Sequence, residues 1–330
     1  MKRRKIFIVI ILVILGVLIV VSFILKKEEA TKPSPSLPLP KIPSLLEGDY
    51  PIEVVFEKRD FDFPSSMYVL QLEKQLLLEN DINNIASNLG YTDEPLVMDD
   101  VFDGKIYIYR NEESALTASI KNQEFDYTLN QIPSYVNKQP SDEALIGTAR
   151  DFLIENGFVS SEDIQFVSFV YLKETPGQGL YLTSKENAAL YQVNFSSEID
   201  DATILTLNPL NTPVYVRILP DGSVFQAHAS RLGTVTESVN QYKLKTYEEV
   251  INGINDSILM SLDDGNIHLP DISNTSISKI TITSIQIAHL LSNSTTTTLQ
   301  PVYLLKGTAS IVGFPTEISA SMYLPAILPN

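Results

Sequence analysis

From Ile52 onward, apolar positions recur in two rhythms, one of period two and one near 3.6. "IEVVF" and "SMYVLQL" read as strands, and "KIYIYR", "ALTASI" and "EFDYTL" as a meander turning at "RNEES" and "KNQE". Between them, "DINNIASNLGY" sets Ile82, Ile85, Ala86 and Leu89 on one helical face, with Gly90 placed to close it. "PSDEALIGTARDFLIENGF" predicts a second helix, with Ser141 as N-cap and Asp142 and Glu143 at the positive end of the helix dipole. Leu145, Ala149, Phe152 and Leu153 form its buried stripe, and Gly157 is its stop. "IQFVSFVYL", "ALYQVNF", "PVYVRI" and "SVFQAHA" then read as strands, the last two joined by a hairpin at "LPDG".

A third helix, "KTYEEVINGI", places Thr246 and Glu249 at capping-box spacing. After a polar connection come three strands, "ISKITITSIQIAHLL", "LQPVYLLKGTA" and "TEISASMYLPA". In the last, Ile318, Ala320, Met322 and Leu324 alternate with Ser319, Ser321 and Tyr323, the signature of an antiparallel sheet covering a core on one side. Helix followed by antiparallel strands, used three times, is an α+β pattern. It divides the chain into units at 51–138, 139–240 and 241–330. The polar run "SNSTTTT" lies between the first two of the C-terminal strands and reads as an exposed connection, longer than the usual two to five residues.

The N-terminal region is of another kind. Ile6 to Leu25 is an uncharged run broken only by Gly16 and Ser22, and at about 1.5 Å per residue a helix of that length crosses a bilayer core. Lys2, Arg3, Arg4 and Lys5 precede it, which puts residues 1–5 in the cytoplasm and the rest outside. A cleaved signal peptide is the competing reading, but its apolar region is shorter, and Glu28 stands where a cleavage site two residues before Ala30 needs a small side chain. Residues 26–50 form a linker in which "PSPSLPLPKIP" holds five prolines, a semi-rigid stalk.

Charge narrows the partners. From Ala30 onward there are 18 Lys and Arg against 38 Asp and Glu. Such a surface repels nucleic acid, whose binding rests on cations at phosphates. With no Cys there is no disulfide or thiolate chemistry, and an exported chain without staples points to a bacterial envelope.

The search for chemistry names no catalytic, cofactor-binding or metal-ligating residue. His228, His268 and His289 have no second ligand at metal spacing; His289 shares strand parity with Ile285, Ile287 and Leu291 and reads as a core residue, and His268 as a loop residue. "SISK", Ser276 to Lys279, matches S-x-x-K without its partner motifs, and there is no G-x-S-x-G elbow. Asp99-Asp100, Asp200-Asp201 and Asp263-Asp264-Gly265 read as turn carboxylates without calcium-loop spacing, and "TPGQG" at 175–179 as a turn.

The C-terminal stretch "ITSIQIAHLLSNSTTTTLQPVYLLKG…MYLPA", with the anchor and the Cys-free α+β body, resembles the YycH/YycI class of membrane-anchored accessory proteins of bacterial sensor kinases. "ALYQVNF" and "PVYVRILPDGSVFQA" are similar to the strand pattern of PepSY-type extracytoplasmic modules, in the unit 139–240. The resemblance implies a non-enzymatic, single-pass regulator that binds a sensor kinase through its membrane helix and ectodomain. It transfers no functional residue. The long stalk and the early helical unit depart from that class. An envelope peptidase inhibitor or wall-associated enzyme, and a structural envelope protein, are the alternatives.

Overall fold

Period-two segments dominate the chain, and strands dominate the fold. The computed structural model describes residues 37, 40, 42 and 52–329, except 58–60, 74–76, 102, 131–138, 161–163, 176–178, 197, 200–201, 264–276, 293–295 and 314–315. The first strands are β1 (Glu53–Phe56), β2 (Ser66–Glu73), β3 (Leu96–Asp100), β4 (Gly104–Arg110), β5 (Ser114–Ser119) and β6 (Glu124–Leu129). Next come β7 (Gln165–Thr175), β8 (Gly179–Leu182), β9 (Leu190–Ser196), β10 (Glu198–Ile199), β11 (Ala202–Thr206) and β12 (Val214–Ile218). The remainder are β13 (Val224–Ser230), β14 (Thr234–Lys243), β15 (Ile258–Asp263), β16 (Ile277–Leu291), β17 (Thr298–Ile311) and β18 (Ile318–Pro325). Among the described residues three α-helices interrupt them: α1 (Glu79–Asn88), α2 (Asp142–Glu155) and α3 (Tyr247–Asn252). This is the mixed α+β class, weighted heavily towards sheet. Among the described residues no helix is long and apolar enough to cross a membrane, and the run Ile6–Leu25 and most of the stalk lie outside them.

The helices start and stop where their end residues dictate. Ser141 accepts a hydrogen bond from the Ala144 amide, and Thr246 and Glu249 close a reciprocal capping box. Gly90 and Gly157, each two residues past the end of α1 and α2, take positive φ of 84° and 77°, which a side chain would resist. The polar connection after α3 holds a strand that the sequence pattern hides, β15. Asp99 and Asp100, expected in a turn, end the strand β3.

Two nine-stranded sheets result. The first runs β3-β4-β5-β6-β13-β12-β9-β7-β8 and is antiparallel throughout. On one face, Phe125, Tyr127, Val193, Phe195, Val214, Val216, Ala227 and Ala229 pack in one cluster with Ile82 and Ile85 of α1 and Leu145 and Leu153 of α2. The second sheet runs β10-β11-β16-β17-β18-β15, with β1 added on β16 and the pair β2–β14 joined through β17. Its centre is the antiparallel pair β16–β17, which the polar run "SNSTTTT" connects; residues 293–295 lie outside the described residues, and Thr298 already begins β17. That connection is also tied down: the Leu72 amide donates to the Thr297 carbonyl, and Thr298 and Leu299 pair with Gln71 and Leu70 of β2.

The second sheet is apolar on both faces. Tyr303 and Leu305 pack with Ile280, Ile282 and Met322, while Val302 and Leu304 pack on the other side with Leu205, Met260 and Tyr323. One glycine is obligatory there. A Cβ on Gly307 would lie 1.9 Å from the Thr281 carbonyl oxygen, beside the irregularity between Ile282 and Ser284.

Candidate functional site

The face of the first sheet turned away from the helices carries polar side chains. Because side chains alternate along a strand, the residues between the core positions of β6, β9, β12 and β13 share that face. Asn194, Tyr215, His228 and Asp126 are cross-strand neighbours in one row, and Gln192, Arg217, Gln226 and Thr128 in the next. The belt has two halves with different surroundings.

The half on β9 is closed. Gln192 and Asn194 are buried, and both donate to the Leu210 carbonyl, at 3.0 Å each. Gln192 also donates to Asn194 Oδ1 and Asn211 Oδ1, and Asn194 to Ser168 Oγ. Arg217 donates to Gln192 Oε1 at 2.9 Å and to Gln226 Oε1 at 2.7 Å, with its guanidinium 5.1 Å from the Tyr215 ring centroid. Ser196 Oγ accepts from the Ile204 amide, and the Tyr323 hydroxyl of the second sheet donates to the Thr206 carbonyl. These bonds fasten the segment that carries β11 into the second sheet. This half is structural.

The half on β13 and β6 opens into a cleft of about 250 Å³, lined by Glu124, Tyr215, His228 and Ser230, by Asn208, Asn211 and Thr212, and by Leu291 at the end of β16 with Ser292 just after it. His228 Nδ1 lies 2.8 Å from Asp126 Oδ1, and its Nε2 lies 3.2 Å from Ser230 Oγ. Ser230 Oγ donates to Glu124 Oε1 at 3.3 Å, and the Tyr215 ring stacks on the imidazole at 5.1 Å. Burial alone would lower the His228 pKa. The Asp126 hydrogen bond and charge, with the Glu124 charge, outweigh it, and the net shift is upward. Burial raises Glu124 and Tyr215 and lowers Arg217.

Carboxylate, imidazole and hydroxyl in that order have the connectivity of an acyl-transfer triad. In this one the amides around the serine already have partners. Ser230 is the last residue of β13, its amide donates to the Pro213 carbonyl, and the Arg231 amide donates to the Gln123 carbonyl. The backbone donors at and next to the serine are therefore already engaged by other carbonyls, not turned to the hydroxyl. The cluster is a charge-bearing wall of a cleft. Among the described residues no group of three or more His, Asp or Glu side chains is placed to hold a metal.

The other sequence candidates do not meet here. His289 is fully buried on β16, and its Nε2 donates to the Tyr68 carbonyl at 3.1 Å, the core role its parity predicts. Lys279 pairs in register with Glu53 of β1. His268, Ser276, Asp200, Asp201, Asp264, Gly265 and the centre of "TPGQG" lie outside the described residues. Sequence reasoning missed the belt, although a signal for it exists. Glu124-x-Asp126-x-Thr128, Gln192-x-Asn194-x-Ser196 and Gln226-x-His228-x-Ser230 are polar alternations inside otherwise apolar strands.

A second, wider cleft of about 700 Å³ runs between β7 and the second sheet, from Phe169, Tyr171 and Leu182 to Lys306, Glu317 and Ser319.

No family model matches this chain, and no curated protein matches it. Solved structures do. An uncharacterized protein from Eubacterium rectale ATCC 33656 is 10% identical, over 81% of this chain and 86% of that one, with a TM-score of 0.47. YycH from Bacillus subtilis is 15% identical over 67% of this chain, with a TM-score of 0.34. That match spans about half of YycH, 52% of its chain. No residue of the cleft takes a role from either.

Proposed function

We propose that this chain is a non-catalytic, single-pass envelope protein, held by residues 6–25 with its N-terminus in the cytoplasm, that regulates a membrane signalling partner such as a sensor kinase. The observation that carries the non-catalytic part is the Asp126–His228–Ser230 cluster. It has the order of a triad, yet the Ser230 and Arg231 amides are both already engaged by other carbonyls. Polar groups so placed suit recognition better than turnover. The topology rests on the sequence: a basic tip, an apolar run long enough for a bilayer, a proline-rich stalk and an acidic body.

The test is crosslinking in cells from photoreactive residues placed within 6–25 and on the folded body, followed by mass spectrometry. Recovery of one signalling membrane protein from both positions is the expected result. If exchanging residues 6–25 for an unrelated membrane helix and removing the folded body each leave every association unchanged, the reading is wrong. A hydrolytic activity abolished by Ser230→Ala would overturn the non-catalytic part.

A further inference from the structure

The first sheet ends on one side at β3, and its outer edge has no partner strand among the described residues. Natural sheets protect such edges with charge, proline or a covering segment. This one has Pro95 before it and Asp99 and Asp100 at its end, and it is exposed at every position. Leu96, Val97 and Met98 are 60%, 44% and 49% exposed, and Val101 just beyond is 89% exposed. Its inner side is fully paired, Leu96 to Ile108, Met98 to Ile106 and Asp99 to Lys105, so the strand is held in extended form. Leu96 and Met98 stand next to the half-buried Ile106 and Ile108, which widens the apolar strip on the face away from the helices.

We infer that the outer edge of β3 is a docking edge for an extended segment of a partner protein, apolar opposite Leu96–Met98 and basic opposite Asp99 and Asp100. Main-chain pairing supplies the affinity in strand addition, and alternate side chains supply the selection. A second copy of this chain is the poorer occupant. Two β3 strands laid antiparallel, centred on Met98 or half a step to either side, set an aspartate against Leu96, Val97 or Met98. From Ala30 onward both copies also carry 18 cationic against 38 anionic side chains, and repel. A strand that begins with lysine or arginine and continues with branched apolar residues meets every position of β3 favourably. Asp100 Oδ1 also accepts from the Asp103 amide, and Asp99 is the cross-strand neighbour of Lys105.

This site deepens the interaction reading proposed above, and its test is independent of it. The full-length chain in detergent micelles is titrated into labelled, capped peptides Lys-Lys-Ile-Val-Ile and Glu-Glu-Ile-Val-Ile, and anisotropy is followed. The basic peptide is expected to bind on the order of tenfold more tightly, since two attractive cross-strand pairs become repulsive in the other. Asp99→Lys should narrow or invert that preference, and Met98→Lys should weaken both peptides, with the thermal midpoint of each variant unchanged. Equal binding of the two peptides, no binding of either, or indifference to Met98→Lys would each overturn the docking edge. A dimer in sedimentation that Met98→Lys dissolves would transfer the edge to self-association. Failure here, with a signalling partner still recovered by crosslinking, removes the edge and leaves the proposed function standing.

Discussion

The two sheets meet the same requirement by opposite means. Both must cover two faces. The first packs one face under α1 and α2 and closes most of the other with a hydrogen-bonded belt around Arg217 and Gln192. The second packs apolar side chains against both faces of β17 and tolerates no extra atom at Gly307. A packed face has only steric freedom to lose. A polar face can also respond to pH and to ligands, and the cleft with titratable walls lies on that side.

Breaking the packed sheet should cost most. Gly307→Ala drives a methyl into the Thr281 carbonyl, and the strands must part; we expect a loss of roughly 3 kcal/mol or more in chemical denaturation. Arg217→Met keeps the apolar stem but leaves the acceptors Gln192 Oε1 and Gln226 Oε1 without their donor. About 2 kcal/mol should go, with unfolding still cooperative. Ser141→Ala, at the helix that backs the first sheet, removes one cap and should cost about 1 kcal/mol.

The gentlest probe is pH. A histidine whose folded pKa stands above its unfolded value holds its proton more tightly in the native state. The contribution of the His228–Asp126 pair is therefore complete below about pH 6.5 and is lost as pH rises through the folded value. Titration of the His228 ring by NMR should give a midpoint above the ordinary histidine value in the native protein and a lower one in Asp126→Asn. An unchanged midpoint would show that the carboxylate does not hold the proton.

Local features of this fold were legible in the sequence because they are decided locally. The Ser141 cap, the Thr246–Glu249 box, the stops at Gly90 and Gly157 and the turn at Asp221-Gly222 depend on residues within a few positions of each other. Partners were not legible. Nothing near "IEVVF" says that it will lie parallel to Lys279–Ile282, and nothing in Ala202–Thr206 says that it will leave its neighbours for β16. Strand β3 was hidden because exposure on both faces erases the alternation that marks a half-buried strand. The cleft was hidden for a related reason: Asp126 and His228 belong to strands far apart in sequence, and only their register unites them.

Strand β16 carries a consequence for synthesis. One of its edges is shared end to end by two short parallel strands, β1 on Lys279–Ile282 and β11 on Ala288–Leu291. A chain made from its N-terminus presents β1 first and the strand that receives it more than two hundred residues later. Pairings so distant in sequence close slowly. Strand β1 therefore waits without its partner until β16 is made, and a protein truncated before Ile277 would leave it exposed to proteases and to its neighbours.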